Sequence, residues 1–313
     1  MLAPIAVFAF NRPEHLRRTL AALATNDLAT ESTLIIFCDG PRSEEEKKLT
    51  DAVRTVARAA TGFHSVSVVG RESNWGCANA VISGLEHMFT RHERLIVIED
   101  DVLCSPHTLR FLNNGLQKYA NEPVVFNISA WSLPPRLMHT PKSYPYDVYF
   151  IPRFNCSGGW ASWRDRWAKI DWNVSDYAEF IENDCLRHAY NRGGEDLIPM
   201  LDAQMAGRLD AWDIRMDYSR FKHGCLGLNP VVSYTTNIGM GSGTHTTTFT
   251  HIYDNIINKA IREPRLPDHI FVDDTILAGY QKVPEMARIL INARAKINQA
   301  LSQSVDSSGR ATL

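Results

Sequence analysis

The chain has 313 residues, 44% hydrophobic and 22% charged, enough for one large or two small globular domains, and its net charge of -2 offers no basic field to gather nucleic acid. The apolar opening Ile5-Ala6-Val7-Phe8-Ala9-Phe10 is too short for a membrane span and carries neither a basic flank nor a cleavage site. Six scattered cysteines, with no Cys-x-x-Cys pair and no zinc-spaced His, fit a reduced cytoplasmic compartment.

Up to residue 101, strand-like and helix-like patterns alternate, which predicts an α/β fold with a mostly parallel central sheet flanked by helices. Pro4 to Phe10 predicts the first strand, and the run Pro13 to Leu20 opens the first helix. Leu34 to Cys38, Ser65 to Val69 and Leu95 to Ile98 predict the next strands, all short apolar or β-branched runs that a doubly covered sheet would bury. Between them, Ser43-Glu44-Glu45-Glu46 places acidic residues at the start of a second helix, and Cys77 to Phe89 predicts a third. Ligands of such sheets bind beyond the carboxyl ends of the strands. Four signals sit there: Asn11-Arg12, Asp39-Gly40, the stretch Arg71 to Asn79, and Glu99-Asp100-Asp101.

The last of these is a strand ending in three adjacent carboxylates. Like charges side by side repel, so a fold that gathers them needs a cation or a hydrogen-bonding ligand. Oxygen donors alone favour Mg²⁺ or Mn²⁺, ions that also grip phosphate. Singly, each signal has a plain reading: an acidic surface turn, a solvated Arg12 before Pro13, an ordinary Asp39-Gly40-Pro41 turn. On consecutive strand ends they suggest a nucleotide pocket facing a metal site, with Arg12 available to a diphosphate and Asp39 to a base or ribose.

On these motifs the chain resembles the glycosyltransferase-A fold, a Rossmann-like nucleotide-sugar-binding domain marked by Asp-x-Asp or Glu-Asp-Asp. Within it, residues 4 to 250 resemble the N-acetylglucosaminyltransferase I type and a group of bacterial sugar transferases. The resemblance implies a metal-dependent inverting glycosyltransferase that moves a sugar from a nucleoside diphosphate to a hydroxyl of a glycan or glycoconjugate. UDP-N-acetylglucosamine is the donor it favours. Asp101 would hold the Mn²⁺ or Mg²⁺ that bridges the diphosphate, Glu99 and Asp100 would face donor sugar and ribose, and Arg12 and Asp39 would contact the nucleotide. One departure is visible: Ala78 stands where that type carries a donor-contacting His, which leaves the donor open.

After Trp131 the composition changes. Tyr144 to Trp172 is rich in aromatics and turn residues, and aromatic faces stack on sugar rings. Trp163, Trp167 and Trp172 read as core. Trp160, after two glycines, resembles the tryptophan lining the donor-acceptor cleft of the related transferases and is a site candidate. An inverting transfer needs a carboxylate to deprotonate the acceptor hydroxyl. Asp213 matches the base position of the resembled type, while Glu195-Asp196 in Arg192-Gly193-Gly194-Glu195-Asp196-Leu197 resembles the Gly-Gly-Glu-Asp motif of other inverting transferases, and both stay open. Asp213 could equally be a helix-surface residue paired with Arg215 or Arg220.

Downstream, Asn237 to Thr246 is a glycine-rich loop suited to closing over a diphosphate, with Gly243, Thr244 and His245 as donor contacts and His245 also as a metal ligand. Ile261 to Pro267 and Val272 to Leu277 read as cover for the sheet or for a neighbouring subunit, and Pro284 to Leu301 as an amphipathic packing helix. The expected organisation is a nucleotide-sugar-binding half (1–130), an acceptor-side half of the same domain (131–255), a helical segment (256–303) and a frayed tail (304–313). The partners expected are donor and acceptor, with no nucleic acid and no transmembrane segment, while peripheral attachment to the inner face of a membrane and homo-oligomer formation stay open. Two readings compete: a glycan-binding protein without catalysis, which would not need the acidic triplet, Arg12 and the glycine-rich loop together, and a phospho-receiver-like domain, which would carry its acidic residues at the start of a much smaller unit.

Overall fold

The computed structural model describes residues 2–239, 253, 255, 257–260 and 262–283. Its first part alternates strand and helix: β1 (Ile5–Ala9), α1 (Pro13–Ala24), β2 (Thr33–Cys38), α2 (Glu44–Arg58), β3 (Ser65–Gly70), α3 (Cys77–Phe89) and β4 (Arg94–Glu99). These strands pair in parallel in the order β3-β2-β1-β4. The runs of β1, β2 and β4 are nearly unbroken in apolar residues because both faces are covered, whereas the edge strand β3 is half-exposed or exposed throughout. On one face Ile5, Val7, Ile96 and Ile98 pack with Leu16, Leu20 and Leu23 of α1 and Val53 of α2. On the other, Ala6, Leu95 and Val97 pack with Ala78, Val81 and Leu85 of α3. The predicted elements of this part appear with shifts of one residue at some ends.

The chain continues through β5 (Val102–Cys104), α4 (Thr108–Lys118), β6 (Val125–Ser129), β7 (Val148–Ile151), β8 (Trp160–Trp163), the helices α5 (Arg164–Trp167), α6 (Tyr177–Glu182), α7 (Asp184–Asn191), α8 (Leu197–Met205) and α9 (Asp213–Lys222), then β9 (Leu226–Pro230), β10 (Thr235–Asn237) and α10 (Asp274–Gln281). The sheet extends past β4 as β8-β6-β9-β7, so eight strands form one layer. β8 runs antiparallel to both β4 and β6, β6 and β9 are parallel, and β7 closes the edge antiparallel to β9.

Two features position the site. In the order 3-2-1-4 the connections reverse direction at β1, so the crevice beyond the ends of β1 and β4 is the topological switch point. Phe8 pairs with Glu99 there, which sets the residues after β1 against those after β4. In addition β10 pairs antiparallel with β5, with Asn237 opposite Val102, and returns the chain to the acidic run. Ile276, Leu277 and Tyr280 of α10 are buried, and Ile276 and Tyr280 pack against Trp131, Leu133, Tyr149 and Ile151 at the far end of the sheet. All six cysteines are free, and among the described residues no helix is long and apolar enough to cross a membrane. Gly243, Thr244 and His245, the helix expected at Pro284 to Leu301 and the tail lie outside the described residues.

Candidate active site

Arg12 follows β1 as the residue capping α1, ahead of Pro13 at the first helical position, where a missing N–H costs nothing. Its guanidinium bridges two carboxylates, with one nitrogen on Asp100 and the other 2.9 Å from Asp101 Oδ2. Both aspartates are more than nine-tenths buried. The Thr19 hydroxyl of α1 donates to the Asp100 carbonyl at 2.7 Å and fixes the turn after β4. Asp101 is held from the other side too: Asn237 Nδ2 donates to Oδ1 at 3.1 Å, and the Ile238 N–H donates to the Asp101 carbonyl at 2.8 Å. Gly239 then passes so close that a Cβ there would collide with Asp101 Oδ2 and Arg12.

The charges respond to this crowding. Burial, then Asp101, Asp100 and Asp213, push the Glu99 carboxyl up to about 8. Burial lifts Asp100 to about 6 against the pull of Arg12. Burial opposes the charge of Arg12, but Asp100 and Asp101 outweigh it and hold the guanidinium pKa above its ordinary value.

Asp100 and Asp101 present oxygen donors only, and the cradle under Gly239 admits no side chain. Among the described residues no group of three or more His, Cys, Asp or Glu side chains is arranged to hold a metal. The donor set therefore fits an ion that takes one or two protein carboxylates and completes its shell with phosphate oxygens and water, not a protein-only cage.

Along the strand ends in the other direction, Asp39 follows β2 and lies 7% exposed. Its carboxylate accepts from the Gly40 N–H (3.0 Å), Asn74 Nδ2 (2.9 Å) and the Trp75 N–H (3.1 Å), with Arg71 Nη1 at 4.0 Å. Burial nevertheless leaves its pKa above the usual carboxylate value. Asp39 thus pins the loop that carries Trp75, and Gly40 is needed because any Cβ would run into the backbone of Ser73. Trp75 is 48% exposed, with the Arg71 guanidinium 4.2 Å from its ring centre and Arg71 itself tied to Ser83 Oγ at 2.6 Å. An exposed ring backed by a fixed cation is a stacking platform. The sequence reading marked the stretch Arg71 to Asn79 but missed Trp75, whose signal was a tryptophan before glycine in a polar loop.

Across the crevice, Asp213 opens α9, close enough to raise the Glu99 pKa. It pairs with neither Arg215, which donates to the carbonyls of Ala211 and Trp172, nor Arg220, which pairs with Asp217 at 2.9 Å. Instead it accepts from its own helix at the Ile214 N–H (3.0 Å) and from the Cys156 thiol (3.6 Å). Burial raises its pKa and these two donors offset only part of the rise. The half-buried Cys156 thiol is pushed well above its ordinary pKa by desolvation and by the neighbouring Asp213 and Glu99 carboxylates.

The other base candidate is placed differently. Both oxygens of Asp196 accept from Arg153 at 2.7 Å, and although burial works upward, Arg153 brings its pKa below the ordinary value. Glu195 is exposed. Trp160 corrects an expectation: it is 1% exposed on β8, its ring 5.7 Å from Trp212 and 5.2 Å from Phe154, so it fills the core under the crevice and presents no face to a sugar. Gly158 and Gly159 serve the same packing, since side chains there would strike Trp131 and Ile98. Trp163 and Trp167 are core as expected, and Trp172 is partly buried against Trp167.

Comparison with solved structures finds low-identity likenesses: S. aureus TarS (14% identity over 55% of this chain and 30% of that chain, TM-score 0.34), a cytidylyltransferase from Leptospira borgpetersenii (10%, 55% and 64%, TM-score 0.34) and a UDP-glucose pyrophosphorylase complexed with UDP-glucose (13%, 54% and 79%, TM-score 0.31). The chain therefore spans less than a third of TarS. No curated protein matches it. The family model for glycosyl transferase family 2 matches residues 5–181, from β1 through the acidic strand end to α6, and the chain belongs to that family.

Proposed function

We propose that this glycosyltransferase moves a sugar from a nucleoside diphosphate donor, UDP-linked, to a hydroxyl of a glycan or glycoconjugate by single displacement with inversion, Asp213 acting as base. The observation that carries the reading is the placement of Asp213: a half-buried carboxylate with no ion pair among the described residues, close enough to the acidic strand end to raise the Glu99 pKa. A carboxylate with a raised pKa accepts a hydroxyl proton more readily than one neutralised by an ion pair, which favours Asp213 over Asp196.

In this scheme the Trp75 and Arg71 wall, held by Asp39, receives the nucleoside. Arg12 meets the diphosphate, whose oxygens match its two-pronged guanidinium. Glu99 and Asp100 border the donor sugar and ribose. A Mg²⁺ or Mn²⁺ ion held by Asp101, when bound, would offset the charge that develops on the departing diphosphate. Asp213 removes the acceptor proton as the anomeric carbon is attacked from the opposite side. The sugar transferred in this scheme is N-acetylglucosamine, with hexoses as the competing class.

The test is thermal stabilisation across a panel of nucleotide-sugars with and without Mn²⁺, because a ligand bound only to the folded state raises its stability by mass action. One UDP-sugar should stabilise the protein, more strongly with Mn²⁺, and Asp101→Ala should lose the metal-dependent part. A panel without any stabilising donor would return the glycan-binding reading to first place.

A further inference from the structure

Arg12 occupies the place where a cation is wanted. Its guanidinium lies between Asp100 and Asp101 and takes Asp101 Oδ2 at 2.9 Å, while Asn237 Nδ2 takes Oδ1 at 3.1 Å. Each oxygen of the carboxylate proposed to hold a divalent ion thus already has a donor, and one of those donors carries a full positive charge. An approaching Mn²⁺ meets like charge from Arg12 at a distance where, in a partly desolvated site, the repulsion is worth more than in water. Gly239 closes the same position from above.

The side chain of Arg12 is not sealed in. It is 27% exposed, whereas its partners Asp100 and Asp101 are 5% and 9% exposed. It therefore has room to turn toward the crevice while the aspartates cannot follow. A diphosphate arriving at the ends of β1 and β4 offers the guanidinium charged, forked acceptors of the kind it binds best.

Building on the metal reading proposed above, we infer that Arg12 is a counter-ion lock on Asp101: until the donor arrives it keeps a divalent cation off that carboxylate, and the donor diphosphate releases the lock by drawing the guanidinium away. Cation and donor then load together, and the protein without nucleotide does not hold the metal tightly. The coupling is reciprocal, so metal strengthens nucleotide binding by the factor by which nucleotide strengthens metal binding. A site loaded in this way does not draw a divalent ion without a donor to transfer from.

The experiment titrates Mn²⁺ alone, read by the paramagnetic resonance signal of free Mn²⁺, into wild type, Arg12→Lys, Arg12→Met and Arg12→Met/Asp101→Asn, each checked for a folded melting transition. Removing a charge-assisted contact of this kind should tighten Mn²⁺ binding about tenfold or more in Arg12→Met. Arg12→Lys keeps the charge with a single point contact and should fall between, which preserves the comparison if the Met variant does not fold. The double variant should lose the gain. Equal Mn²⁺ affinity in wild type and the Arg12 variants would overturn the lock. If, in that case, UDP still stabilises wild type more with Mn²⁺ than without it, the metal reading survives and only the lock falls. If Mn²⁺ has no effect in any arm, both fall.

Discussion

Two aspartates that look alike on paper are separated by what each one touches. Asp196 is neutralised by Arg153, while Asp213 is left with a helix N–H and a thiol. The Cys156 thiol donates to Asp213 and lowers its pKa, so Cys156→Ala should raise that pKa further and move the acid limb of kcat/KM to higher pH, measured as a pH profile of diphosphate release. An unmoved limb would detach Cys156 from the base. Asp196→Asn should show its deficit in the denaturation midpoint, at about 0.5–1 kcal/mol because the half-exposed carboxylate is screened by solvent, and leave the acid limb in place. Arg12 and the acidic triplet each also fit a solvated loop or surface turn when read singly; it is the pairing of β1 with β4 that brings them together. Trp160, expected in the cleft, is core, and Trp75, not singled out in the stretch Arg71 to Asn79, is exposed: both neighbour glycines, and only three-dimensional packing tells a glycine that admits a core ring from one that turns a ring outward.

At the scale of elements, β1, β2 and β4 were readable because they are largely buried apolar runs, and the edge strand β3, whose residues are half-exposed or exposed, because its valines are β-branched. The pairings that complete the site were not. β8 inserts antiparallel between β4 and β6, and β10 reaches back over 130 residues of chain to β5, and such contacts leave no periodic trace in sequence. The loop after β3 is an element whose shape depends on one atom. Gly40→Ala would place a Cβ against the Ser73 backbone and displace the Asn74 and Trp75 contacts of Asp39. We expect a loss of about 1–3 kcal/mol in chemical denaturation, typical of overpacking, together with weaker stabilisation by the cognate nucleotide. A variant with wild-type stability and wild-type nucleotide response would show that this loop does not form the nucleoside wall.

Over the whole molecule, one sheet runs from residue 5 to residue 230 and joins the two halves expected from sequence into a single layer. The later chain is tied to it through Asp147, whose carboxylate accepts from Arg262 at 2.6 and 2.7 Å and from the Arg265 N–H at 2.7 Å. Burial works upward on Asp147, but the two arginines overcome it and hold its pKa well below the usual carboxylate range. A depressed carboxylate pKa contributes stability that is present above the unfolded-state value, near 3.8, and is lost as pH falls toward the folded-state value. Asp147→Asn should therefore flatten the acid side of the stability profile, cost about 1 kcal/mol at neutral pH, and speed amide exchange around residues 262–270. Unchanged exchange there would show that the clamp does not hold this segment. The central claim is that this crevice transfers sugar with Asp213 as base, and the direct measurement is diphosphate release from the stabilising nucleotide-sugar by wild type and Asp213→Asn. Release should be about 10²–10⁴-fold slower in the variant, with donor stabilisation retained; an Asp213→Asn protein that binds the donor and releases diphosphate at the wild-type rate would contradict the role of Asp213 as base.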